Sequence, residues 1–148
     1  MKLNESGSDL IKSFEGLKLA AYLCPAKVPT IGYGNTLYED GTPVKIGDRI
    51  SNDVANKLFN VIASEFADRV RPLVKSSISE NQFSALVSFA YNVGIGNLKS
   101  STLLKKVNIN PNDESIRVEF MKWNKANKKV LAGLTKRRQA EADLYFKK

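Results

Sequence analysis

Apolar and polar residues alternate along this 148-residue chain with three successive textures. After the polar run NESGS at 4–8, Leu10, Ile11 and Phe14 recur at helical spacing, and Gly16 follows as a stop signal. A short first helix is predicted, with Glu15 at its C-terminal edge. From about 19 to 50, Gly, Pro and Thr become frequent, and apolar runs such as PTIGYG at 29–34 are too brief for helices. This predicts a small sheet with tight turns, Glu39-Asp40-Gly41-Thr42 forming a hairpin turn. Beyond Ser51, with Asp53 in the first turn, Val54, Leu58, Ile62, Phe66 and Val70 make one apolar stripe. They predict a long helix that Pro72 ends or kinks. Ser79 and Gln82 have capping-box spacing for a further helix with Phe83, Leu86, Val87 and Ala90 on its apolar face and Gly94 and Gly96 at its end. Three more helical stretches are expected near 100–107, 113–124 and 134–146. The fold class is α+β.

Length then bounds the organisation. A chain of this size reads as one domain, 1–148, and buries enough surface to need no disulfide or metal staple. Within it we expect a β-rich lobe over about 17–50. The long helix bridges it to a helical lobe over about 51–148, which the N-terminal helix joins. Cys24 is the sole cysteine and histidine is absent, which excludes an intrachain disulfide, Ser-His-Asp and Cys-His catalysis, and a cysteine zinc cluster. Acid–base chemistry falls to carboxylates, Cys, Tyr or Lys. No metal and no cofactor is expected. The N-terminus lacks the apolar core of a signal peptide and no stretch approaches 18 apolar residues, so a cytoplasmic origin, or a missing export segment, is expected.

Residues 14–34 read FEGLKLAAYLCPAKVPTIGYG. Taken singly, its pieces have ordinary readings: an acid at a helix end, a small hydrophobic thiol, a β-branched residue suited to a strand. Together they resemble the phage-type lysozymes, in which a Glu, eight residues, an Asp or Cys, five residues and a Thr open a TIGxG turn. Glu15, Cys24 and Thr30 stand at that spacing. NQFSALVSFAYNVG at 81–94, STLL at 101–104, Trp123, GLTKRR at 133–138 and Glu141 are similar to the family's later segments, in the same order.

The resemblance implies a lysozyme-like fold and an endolysin that hydrolyses the β-1,4 bond between N-acetylmuramic acid and N-acetylglucosamine in peptidoglycan. Glu15 would be the general acid, which must stay protonated above the ordinary ~4.3 of a glutamic acid. Flanking Phe14 and Leu17 suit that, whereas a positioning cation, Arg137 or Arg138, would oppose it. Cys24 stands where many relatives carry Asp. With Thr30 it would position a water on the face opposite Glu15, giving inversion; in the other reading, the thiol is only a small buried hydrophobe. Tyr33, Tyr91, Asn92, Ser101 and Thr102 would contact the glycan, although Ser101 and Thr102 also suit a helix cap, and Trp123 reads as core.

Charge adds a partner. Residues 1–98 hold 10 Lys or Arg against 10 Asp or Glu, and residues 99–148 hold 13 against 5, so the net +8 lies in the last third. Lys125, Lys128, Lys129, Lys136, Arg137 and Arg138 would favour the anionic bacterial envelope; a solvated basic surface is the alternative. Glycan strands, no nucleic acid and a monomer are expected. The protein would act on the periplasmic wall after leaving the host cytoplasm through a separate membrane pore. Competing readings are a lytic transglycosylase on the same substrate and a non-catalytic wall- or nucleic-acid-binding protein.

Overall fold

A computed structural model describes residues 1–148. The chain forms two compact units, Lys12–Glu65 and a larger one from Met1–Ile11 with Phe66–Lys148. Both unit boundaries fall inside helices, α1 (Glu5–Glu15) and α2 (Asn52–Val70). No helix is long and apolar enough to cross a membrane.

In the smaller unit β1 (Lys18–Leu23) pairs antiparallel with β2 (Pro29–Gly32), setting Tyr22 opposite Thr30 and Leu23 opposite Pro29. On its other side β1 takes up the segment before α2: the Ala21 amide donates to Asp48 and the Ile50 amide to Leu19, each at 2.9 Å. The hairpin turn forms as expected. Tyr38 and Thr42 close it at 2.9 Å, and the Asp40 carboxylate accepts from the Thr42 amide and hydroxyl. The Tyr38 hydroxyl donates to Asp48 at 2.6 Å, and burial together with this acidic partner pushes the phenol up to about 12. Ile31, Val44 and Leu58 form the core cluster, with Ala21, Tyr38, Ile50 and Ile62 packed on it.

Helix α2 starts where expected, the Ser51 hydroxyl accepting from the Val54 amide, and passes into a single 3-10 turn at Arg71–Leu73 containing Pro72. Its buried face is rotated from the expected stripe. Leu58 and Val70 are buried, but Val54 is exposed, and Ala55, Phe59, Ala63 and Ala67 form a second buried row. Small alanines let the backbone come close, so packing selects a face that apolar size alone does not mark.

In the larger unit α3 (Glu80–Val93) carries the expected capping box, Ser79 and Gln82 exchanging bonds at 2.9 and 3.1 Å. Every residue from Phe83 to Ala90 is buried, so α3 is covered on all sides. The short helices α4 (Ile95–Ser100), α5 (Thr102–Ile109) and α6 (Ile116–Met121) follow, then a two-residue-stranded hairpin of β3 (Lys125–Ala126) and β4 (Lys129–Val130). The last helix, α7 (Ala132–Phe146), lies against α3 and α6. Phe89, Phe120 and Tyr145 meet edge to face, and Phe89 also meets Trp123 at 5.4 Å.

The structure departs from the sequence pattern at three further places. Gly94 ends α3, but Gly96 lies within α4, a helix that the pattern does not mark. The stretch 113–124 is helical only from Ile116 to Met121, because the Asp113 carboxylate draws the Ser115 amide and hydroxyl into a turn. The hairpin at 125–130 has no signature in the sequence, since strands of two residues show no alternation.

Candidate active site

Glu15 is the last residue of α1. The Gly16 amide closes the helix on Lys12 at 2.9 Å, and Gly16, at φ 73°, turns the chain away through the left-handed region. β2 then delivers the TIGYG turn, in which Ile31 and Asn35 exchange two backbone bonds of 2.8 and 2.9 Å. Gly34 sits in this turn at φ 79°. A Cβ there would lie 3.1 and 3.2 Å from the two Glu15 carboxylate oxygens. Glycine thus lets the backbone pass against a half-buried carboxyl that any other residue would press upon.

Cys24 lies in the turn between β1 and β2, its amide donating to Val28 at 3.1 Å. The Val28 amide does most to hold the thiol below its ordinary value, and the Ala26 amide and Thr30 hydroxyl add to it against the opposing effect of desolvation. Thr30 is buried in β2, and its hydroxyl also reaches the Val28 carbonyl at 2.8 Å. One hydroxyl proton serves one acceptor, so Thr30 donates to Val28 when the thiol is neutral and can turn to the sulfur when it is charged. Cys24 and Thr30 are therefore brought together. Tyr22, which no sequence motif singles out, belongs beside them: it pairs with Thr30 across the ladder and stands two residues from Cys24. Its phenol is raised first by burial and then by the charges of Glu15 and Cys24. Strand alternation counted back from Cys24 is the signal that finds it.

Tyr33 packs edge to face on Phe59 at 5.4 Å, with the Lys12 ammonium over both rings. The remaining expected glycan contacts fall in the larger unit. Tyr91 packs at a tilt on Phe66 at 5.1 Å, Asn92 accepts from Arg138, and Thr102 opens α5 on an exposed position. Ser101 is buried and caps α5, its hydroxyl accepting from the Leu104 amide and donating to the Leu98 carbonyl. Arg137 and Arg138 are buried too. Both bond Glu141, Arg137 also reaches the Ser88 carbonyl, and Arg138 reaches the Trp123 carbonyl and lies over the Phe89 ring. Ser88 completes the network by donating to Glu141 at 2.6 Å. No group of three or more Cys, Asp or Glu side chains is arranged to hold a metal ion.

The family model described as phage lysozyme matches residues 12–141. The chain belongs to the phage lysozyme family. An endolysin of Bacillus phage B103 is 46% identical over 99% of this chain and that of Bacillus phage PZA 41% over 98%. This chain spans about half the length of these two relatives, 54% and 55%. The endolysin of Salmonella phage P22 is 31% identical, with 96% of this chain and 97% of that protein covered. Among solved structures, an endolysin from Escherichia coli O157:H7 phage FAHEc1 is 38% identical with a TM-score of 0.90, covering 99% of this chain and 94% of that one. The muramidase domain of SpmX from Asticaccaulis excentricus is 32% identical with a TM-score of 0.88 and 99% of each chain covered. The lysozyme-like α+β fold expected from the sequence is thus the fold of these proteins.

Proposed function

We propose that the chain is a peptidoglycan hydrolase of the endolysin type, cutting the β-1,4 bond between N-acetylmuramic acid and N-acetylglucosamine. Glu15 gives its proton to the leaving glycosidic oxygen as the bond to the anomeric carbon breaks. Cys24 and Thr30 hold the water that attacks the opposite face, so the product is inverted. Cys24 takes the place of a second carboxylate, and amide donors that favour its thiolate support its accepting a hydrogen bond from that water. Tyr33, Tyr91, Asn92 and Thr102 bind the sugar rings and their N-acetyl groups, with Ser101 holding the start of α5. The observation that carries the reading is the Gly34 backbone running against the Glu15 carboxyl, within one family-spaced segment in which the Thr30 hydroxyl also reaches the Cys24 thiol.

Glu15→Gln tests it on permeabilised Gram-negative cells. Lysis followed by turbidity should fall by about 10²–10⁴-fold, the usual weight of a general acid, with the far-ultraviolet circular dichroism unchanged. Near-normal lysis overturns the assignment. Mass spectrometry of the wild-type product separates hydrolysis, which adds a water, from a transglycosylase, which leaves an anhydro sugar.

A further inference from the structure

Arg137 and Arg138 belong to the basic excess of the chain, yet both are buried and paired with Glu141. What remains at the surface is a different feature. Every residue from 125 to 133 is exposed, and the β3–β4 hairpin within that run buries neither of its faces. Lys125 pairs with Val130 on one face and Ala126 with Lys129 on the other, so each face carries one lysine and one aliphatic residue. Val130 is 61% exposed and the following Leu131 45%.

The two loop residues, Asn127 and Lys128, have φ of 51° and 66°. That tight left-handed turn matches the twist of a two-residue hairpin, but its second position usually falls to glycine. A lysine there holds a cationic side chain at the hairpin tip in spite of a backbone that disfavours it. An isolated two-stranded ribbon is marginal in water. At the base of this one the Leu131 amide donates to Asn124 at 2.9 Å and Asn124 bonds the Thr135 hydroxyl. Lys125, Lys128, Lys129 and Lys136 take part in none of the chain's ion pairs, all of which involve other residues. Elsewhere in the larger unit Glu119 pairs with Lys106 and Lys122, Glu141 with the two arginines, and Asp143 with Arg117.

We propose that the hairpin 125–131 is a docking element for the surface of an anionic phospholipid bilayer. The lysines meet the phosphates of the headgroups, while Val130 and Leu131 enter the boundary between headgroups and acyl chains. The aliphatic pair is what selects a lipid surface over a soluble polyanion, which would make use of the charges and leave Val130 and Leu131 in water. The proposal is independent of catalysis, because no residue of the hairpin belongs to the candidate site.

Co-sedimentation with large vesicles of phosphatidylcholine containing about one-third phosphatidylglycerol tests it, with pure phosphatidylcholine and soluble polyphosphate as comparisons. Wild type should bind the anionic vesicles and release from them as salt rises. The triple variant Lys125→Gln, Lys128→Gln, Lys129→Gln should lose on the order of a hundredfold in partitioning, from roughly fivefold per lysine near a charged surface. Val130→Ser should weaken vesicle binding severalfold and leave polyphosphate binding unchanged. Lysis of purified wall sacculi by the triple variant should stay at the wild-type rate, which separates this test from that of Glu15. Wild type that ignores anionic vesicles, a triple variant that binds like wild type, or Val130→Ser without effect on vesicles would each overturn the lipid assignment.

Discussion

In the unit Lys12–Glu65 the core cluster is Ile31, Val44 and Leu58, and β1 is exposed along almost its whole length. In the larger unit eight consecutive residues of α3 are buried, and four charged side chains, Glu119, Arg137, Arg138 and Glu141, are buried in it too. The smaller unit positions its polar groups with backbone: a glycine turn against Glu15, and amides around the Cys24 sulfur. The larger one adds a buried side-chain network, in which Arg137, Arg138 and Ser88 all bond Glu141. Backbone turns hold atoms accurately with little apolar area beneath them, which suits the glycan substrate proposed above. A buried ion network holds only if every member is present, and so it belongs where packing is dense.

The larger unit offers the heaviest test of this contrast. Glu141→Gln removes the anion shared by two buried arginines and should destabilise the protein by roughly 3–5 kcal/mol, the cost of breaking a buried pair. Guanidinium unfolding measures it. A loss below about 1 kcal/mol would mean that the arginines find water or other partners and that the network is not structural.

Gly34→Ala probes the smaller unit and should show the opposite balance. The added methyl meets the Glu15 carboxyl at 3.1 Å and stands at a left-handed φ. Lysis should fall by roughly 10- to 100-fold, as small displacements of a reacting group do. Unfolding free energy should drop by only about 1 kcal/mol. If activity survives and stability collapses, the turn serves packing and the contrast between the units fails.

The smallest effect concerns the Cys24 thiol. Hydrogen-bond donors aimed at sulfur favour the thiolate and lower its titration from the ordinary value of a cysteine. Alkylation by iodoacetamide should therefore rise with pH along a curve displaced to lower pH than that of free cysteine. Thr30→Val removes one donor and should move the curve part of the way back up. An unshifted curve in the wild type would remove the support for a thiolate that holds water.

Local features of both units are legible in the amino-acid sequence. The Ser79–Gln82 capping box, the helix stop at Gly16 and the turn at Glu39–Thr42 involve residues within a few positions of one another, so their chemistry is written in short words of sequence. The Cys24–Thr30 pairing is equally local, formed across one hairpin. The face of α2 is not legible, because Ala55, Ala63 and Ala67 are buried for their smallness and give no strong apolar signal. Nor is the fate of the GLTKRR segment, where Arg137 and Arg138 read equally as a cation for Glu15, as envelope-binding charges or as a solvated basic surface.

What the sequence determined by itself is therefore the set of elements that close on themselves, the exclusion of histidine chemistry, and the spacing that sets Glu15, Cys24 and Thr30 in one segment. The tertiary structure alone decided which charges are spent and which are offered. Glu141 pairs with both from within one helical turn, but Arg138 also meets Asn92 across 46 positions and Arg137 the Ser88 carbonyl across 49, and only those distant partners bury them. With those two withdrawn into the interior, the basic character at the surface of this region passes to the hairpin lysines. Burial is a property of what folds over a residue, and for these arginines the covering helices α3 and α7 are paired only in the folded chain.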